Sequence, residues 1–348
     1  RYGFFKQFLD GICIDFSEHF FYFLFIRSDM SFNKLIRSHS HQLNPKNRIS
    51  TSIFHSVFFF KSKLFQKFYS TAVKFRYLHV RNLLKKLLNF YIKSSIHVAL
   101  AVLALAKISL LSTAADQEYT LLIFIFFSAL SAYNFIKFFP FFKSQKFSFS
   151  TALIPLLTLI AFLIIVAVIF LLPSLVVAFA LLGGFLVLGY AVPFQSTLSN
   201  WRSKKGWKMY LVVLSWLCLT VGVPLASAEL FEAALFFKLA LVQGIYIFVA
   251  ILPFEIGDLN SDAATLQTLP KTLGVKRVKI LGILLLLFGS GIAVLSFGFA
   301  SPFVKSSLIT FFILGLSLWR SNKNQSAFFA RFWVEGIPIL WCILIYYF

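Results

Sequence analysis

Phe254-Glu255-Ile256-Gly257-Asp258-Leu259-Asn260-Ser261-Asp262 follows directly on the mostly apolar run Ala233–Pro253. Glu255, Asp258 and Asp262 stand at i, i+3 and i+7, which puts all three on one face of a helix. Beyond Glu229 and Glu232, the only other acid in the second half of the chain is Glu335. A carboxylate at bilayer depth costs roughly 2.5–3.5 kcal/mol, and neighbouring carboxylates repel one another. The sequence therefore has to supply something cationic to face them.

The surroundings of this stretch decide the fold class. Of 348 residues, 59% are apolar and 13% charged, against about 45–50% and about 25% in soluble domains. From residue 95 onward, apolar runs of roughly 14–21 residues recur between short polar gaps, close to the about 20 that a membrane span needs. The runs are continuous rather than alternating, which excludes a β-barrel. The pattern predicts an all-α, polytopic membrane protein. Its nine spans lie at about residues 95–111, 120–138, 151–171, 175–194, 209–226, 233–253, 280–297, 306–319 and 332–348.

The formal charge of +21 does not point to nucleic acid. Residues 1–90 carry 15 Lys/Arg against 4 Asp/Glu, and residues 91–348 carry 18 against 8. The second excess falls in alternate loops: Lys137, Lys143 and Lys146; Arg202, Lys204, Lys205 and Lys208; Lys271, Lys276, Arg277 and Lys279; Arg320, Lys323 and Arg331. The positive-inside rule then predicts an integral membrane protein with a cytoplasmic N-terminus and an outer C-terminus. In a bacterium this would be the inner membrane. The acidic stretch falls at the cytoplasmic end of span 6. Cys13, Cys218 and Cys342 have no metal-ligand spacing and read as small apolar residues.

Residues 1–82 form a separate region, basic and rich in Phe without sustained periodicity. It is expected to be a disordered tail or a translation begun upstream of the true start; residues 83–348 are the transmembrane domain. Leu83–Phe90 is a short basic amphipathic stretch suited to the headgroup plane.

Three readings of the acids stay open on spacing alone. They hold magnesium, which joins one or two carboxylates to substrate phosphates; they pair with basic side chains; or they belong to an ion pathway. Behind them, Thr268-Leu269-Pro270-Lys271-Thr272-Leu273-Gly274 supplies a cation, two hydroxyls and a turn-compatible glycine. A lysine can serve phosphate as a point charge.

Asp258-x-x-x-Asp262, followed by Thr-Leu-Pro-Lys and a Gly before the next span, resembles the second aspartate motif of the UbiA-type intramembrane prenyltransferases. Nine spans, and Gly189-Tyr190-Ala191-Val192-Pro193 ahead of a basic loop, are similar too. The resemblance implies helices around a central cavity. It also implies magnesium-dependent transfer of an isoprenyl group from its diphosphate to a hydrophobic acceptor, aromatic or lipid. On that reading Asp258 and Asp262 are catalytic and hold Mg2+ with Glu255 assisting. Asn134 orients the site, and Lys137, Lys271 and Glu255 contact substrate. The family's first aspartate motif is absent: where Asn134 matches its Asn, the three acidic positions are Phe135, Phe138 and Phe142, and Lys137 stands beside them. A non-catalytic relative, with a structural ion-pair network joining Lys137 to Asp258 or Asp262, is the alternative; a transporter is third.

Other polar residues inside spans read as follows. His97 is a functional candidate or a satisfied interhelical hydrogen bond. Arg331 and Glu335, one helical turn apart, are expected to pair. Gln243 and Tyr246 are expected to line the cavity. Gly183, Gly184 and Gly189 predict close helix packing, and Pro253 is expected to break span 6 just before the acids.

Overall fold

A computed structural model of the protein describes residues 82–112, 119–144, 149–192, 207–228, 231–260 and 268–348. The chain divides into two units, 1–88 and 89–348, and the first contributes only residues 82–88 to what is described. Asp262, the segment up to residue 81 and the loop cations Lys146, Arg202, Lys204 and Lys205 lie outside the described residues.

The described residues are mostly helical, and none of them is in a strand. In chain order they form α1 (Asn82–Lys93), α2 (Ile96–Leu111), α3 (Tyr119–Ser144), α4 (Phe149–Ile169), α5 (Ser174–Ala191), α6 (Trp207–Leu217), α7 (Val223–Ala226), α8 (Ala233–Gly257), α9 (Leu269–Leu273), α10 (Val275–Phe297), α11 (Pro302–Arg320) and α12 (Ile337–Tyr347). A π-helical turn, Cys218–Gly222, joins α6 to α7, and a second, Phe329–Val334, leads towards α12. Seven of the resulting rods are long and apolar enough to cross a membrane, and α1 with α2 makes an eighth. The apolar helix over Leu153–Ile169 falls just short of span length. These nine rods match the nine predicted runs in order. The eighth run, short in the sequence, gains a turn at its start and becomes the 19-residue α11.

Two apolar cores hold the bundle. One gathers α2, α3, α4 and α5 around Leu110, Phe124, Ile125 and Val176. The other gathers α8, α10, α11 and α12 around Tyr246, Phe311, Leu314 and Trp341. Trp341 is fully buried, lies edge-on to Phe311, and donates its indole N–H to Ser306 Oγ at 3.2 Å. Gln243 and Tyr246 belong to this packed interior rather than to a cavity wall. Both are at most 1% exposed. Gln243 Nε2 donates to Ser109 Oγ at 2.9 Å, tying α8 to α2. On the opposite faces, Leu156, Leu159, Phe162 and Leu163 of α4 and Leu284, Leu287 and Phe288 of α10 point outward, as lipid-facing residues do.

The tightest helix approaches are not all where the sequence suggests. Gly183 does pack closely, since a Cβ there would lie 3.1 Å from Cys218 Cβ, but Gly184 faces open space. α10 comes close to α8 and α11 at Gly282, where a Cβ would overlap Leu318 and come within 3.0 Å of Leu252. Pro253 does not break α8, which runs on to Gly257. Missing backbone bonds at a proline are tolerated where neighbours re-satisfy the freed groups.

Gly282→Leu is expected to destabilise the bundle by about 1–3 kcal/mol, the usual penalty for overpacking. Gly184→Leu is expected to be near neutral. Thermal unfolding of the two variants in detergent checks the contrast.

Candidate functional site

The acidic stretch begins inside α8 and ends in a single 3-10 turn, Asp258–Asn260. Glu255 is still on the helix and only 1% exposed. Its carboxylate meets Lys208 Nζ at 2.6 Å, across from the first turn of α6. Where the sequence leads one to expect a metal ligand or substrate contact, one Glu255 oxygen is engaged by an ammonium. Asp258 is the residue where α8 stops, and it is half-buried.

The chain beyond is held from the side. Gln325, in the connection after α11, donates through Nε2 to the Pro253 carbonyl at 2.6 Å, and its Oε1 accepts the Asn322 N–H at 3.1 Å. Asn260 Nδ2 donates to the Lys323 carbonyl at 3.3 Å. Gln325 lies so close to Gly257 that a Cβ there would come within 2.6 Å of Nε2. Gln325 thus fixes both ends of the last turn before Asp258, a role that the sequence alone does not display.

The loop behind the acids forms as its residues suggest. Thr268 precedes α9, its carbonyl accepts from the Lys271 and Thr272 backbone N–H groups, and it is buried. Lys271 sits half-buried on α9. Gly274 joins α9 to α10 with φ +82° and ψ 152°, a region essentially reserved for glycine.

Asn134 is fully buried in α3, and neither its amide oxygen nor its amide nitrogen has a hydrogen-bond partner among the described residues. The preceding Tyr133 accepts the indole N–H of Trp216 at 2.7 Å, linking α3 to α6. Three residues on from Asn134, Lys137 turns towards the junction of α1 and α2. Its Nζ donates to Ser95 Oγ at 2.9 Å and approaches the Ile92 and Lys93 carbonyls at 3.4 and 3.5 Å. A cation at the last carbonyls of a helix meets its negative end. Ser95 itself is fully buried with φ +64°, a strained conformation for a residue with a Cβ.

The last span reaches the same junction. His97 Nε2 donates to the Phe332 carbonyl at 2.9 Å, so Nδ1 is left to accept the Tyr91 hydroxyl, also at 2.9 Å. This is the satisfied interhelical histidine of the two readings. The π-helical turn changes the pairing expected of Arg331 and Glu335. No ion pair with N···O under 4 Å joins them among the described residues, and Glu335 is half-buried. The sequence reading passed over Lys208 as one loop cation among several. Its distance from the acids along the chain left no spacing signal; the only clue was its place beside an apolar run.

Magnesium can be tested against these donors. Among the described residues, no group of three His, Cys, Asp or Glu side chains gathers as a metal would need. One Glu255 oxygen is on Lys208, and Asp258 is the remaining described carboxylate of the acidic stretch.

Lys208→Ala removes the ammonium that faces the buried Glu255 carboxylate and is expected to destabilise the protein by up to about 3–5 kcal/mol. The double change with Glu255→Gln is expected to cost less than the sum of the single changes, as for any directly coupled pair. Unfolding of the three variants measures the coupling.

No family model matches the chain, and no curated protein matches it. Among solved structures it is similar to one described as a UbiA homolog from Archaeoglobus fulgidus, with 11% identity and a TM-score of 0.48. The match covers 74% of this chain and 98% of that one.

Proposed function

We propose that the protein binds an isoprenyl diphosphate at the end of the bundle that carries Asp258, on the cytoplasmic side, and transfers the prenyl group to a hydrophobic acceptor. The observation that carries this reading is the buried Asn134, whose amide has no partner among the described residues. A buried polar group left unpaired costs about 1–3 kcal/mol, and a ligand that completes its hydrogen bonds recovers that cost.

In this reading Asp258 and Asp262 hold magnesium, and the ion neutralises the departing diphosphate. Lys271 supplies a further positive charge on the segment that follows. Lys137, steadied by Ser95 Oγ, presents its ammonium to phosphate oxygens, and Asn134 orients the head group. Glu255 acts through Lys208: the pair fixes the last turn of α8, and Gln325 fixes its backbone. The prenyl tail lies among the apolar side chains of the bundle.

The second reading, a non-catalytic membrane protein, is favoured by one observation. Lys208 and Glu255 already form a buried ion pair that needs no ligand.

Asp258→Asn and Asp262→Asn are each expected to abolish magnesium-dependent binding of prenyl diphosphates to the purified protein. Isothermal titration with diphosphates of several chain lengths tests this. Absence of magnesium-dependent binding at every length would select the second reading.

A further inference from the structure

The rim of the bundle beside Asp258 carries cations that the preceding reading leaves unused. α10 opens with Lys276, Arg277 and Lys279, and α11 closes on Arg320. The bond from Asn260 Nδ2 to the Lys323 carbonyl ties this rim to the end of α8. From residue 263 to residue 334 the chain has no Asp or Glu. Cations at the start of a helix face the positive end of its dipole. Lys279 escapes this by reaching across to α11, where its Nζ donates to the Trp319 carbonyl at 2.7 Å, at the negative end of that helix. The same bond fixes which side chains meet at the seam of the two helices. Lys276 stands one turn before Lys279, and Arg320 directly follows Trp319. Both are exposed, and among the described residues no carboxylate lies within 4 Å of either.

Below these cations the seam is apolar. α10 and α11 touch closely along it: a Cβ at Gly282 would overlap Leu318, and one at Gly289 would come within 3.0 Å of Phe311. Ile280 and Leu287 follow Lys276 at i+4 and i+11, on the same face of α10. Leu316 and Phe312 precede Trp319 at i−3 and i−7, again on one face. All five of these apolar residues are exposed. Each helix thus presents a strip of oily side chains that ends in a cation at the same rim, with an indole at the level that tryptophan favours in a bilayer. The molecule that matches such a surface has an anionic head and hydrocarbon chains.

We propose that the seam of α10 and α11 is a seat for one anionic phospholipid of the phosphatidylglycerol type. Lys276 and Arg320 hold its phosphate, and its chains lie along Ile280, Leu287, Leu316 and Phe312. The guanidinium offers phosphate oxygens a planar fork of donors, and the ammonium a point charge. Lys279 is a positioning residue that keeps the two helix ends together through the Trp319 carbonyl. The proposal is independent of the diphosphate reading, because neither Asp258 nor Lys271 takes part.

The test uses the purified full chain in detergent, with phosphatidylglycerol and phosphatidylcholine added in equal amounts and the retained lipid counted by native mass spectrometry. The wild type is expected to retain one phosphatidylglycerol in preference to phosphatidylcholine. Lys276→Gln with Arg320→Gln is expected to weaken that retention about tenfold or more. Arg277→Gln removes a charge from the same rim, but Arg277 lies about 100° round the helix from Lys276, and the change is expected to weaken retention by less than about twofold. Glycerol 1-phosphate, which carries the anion without chains, is expected not to displace the lipid at equal concentration. No preference for phosphatidylglycerol in the wild type overturns the seat. So does an Arg277→Gln variant as weak as the double variant, which would mean a diffuse positive rim, and so does displacement by glycerol 1-phosphate. Asp258→Asn separates the two proposals: it should abolish magnesium-dependent binding of prenyl diphosphates and leave phosphatidylglycerol retention unchanged.

Discussion

A carboxylate shut away from water inside an apolar bundle must be neutralised where it stands, and Glu255 is neutralised by Lys208 at 2.6 Å. Coulombic attraction offsets the desolvation of both ions only when contact is this close and the geometry is fixed. The pair joins the first turn of α6 to the last turn of α8, elements that the chain itself connects only through the far end of the bundle. The neighbouring polar contacts follow the same logic. Gln325 on the Pro253 carbonyl, Lys279 Nζ on the Trp319 carbonyl at 2.7 Å, Lys137 on Ser95 and His97 on Phe332 each join residues distant along the chain. One end of the bundle is thus knitted by side-chain hydrogen bonds, while its interior is held by apolar packing.

The distribution of charge explains why the fold was legible in the sequence. Continuous apolar runs set the spans, and the helices overlie all nine of them in order. Their ends moved by a few residues, because helices extend past the membrane-length core into polar sequence: α10 begins at Val275, taking in Lys276, Arg277 and Lys279. Pro253 misled because proline's local cost is a property of the isolated chain, whereas here the Pro253 carbonyl is met by Gln325 from another span. Gln243 and Tyr246 misled in a similar way. Their polarity suggested a cavity, but both are buried in the packed interior: Gln243 Nε2 donates to Ser109 and the rings of Phe311 and Trp341 lie against Tyr246, while the Gln243 amide oxygen and the Tyr246 hydroxyl have no partner among the described residues.

The site was legible only in part. The spacing of Glu255 and Asp258 correctly announced a concentration of negative charge at the end of α8, and Gly274 announced the turn that follows Lys271. What spacing could not convey was the identity of the partners. Lys208 pairs with Glu255 across 46 intervening positions of sequence, and Arg331 with Glu335 was read as a regular helical neighbour because a π-helical turn has no signature in composition. Lys137 was recognised as standing out among phenylalanines, but its direction depends on the left-handed conformation of Ser95, which residue type alone does not announce.

The clamp around Gln325 has a mechanical consequence. With that amide bonded on one side to the Pro253 carbonyl and on the other to the Asn322 N–H, the connector between the eighth and ninth spans and the foot of the sixth behave as a single rivet.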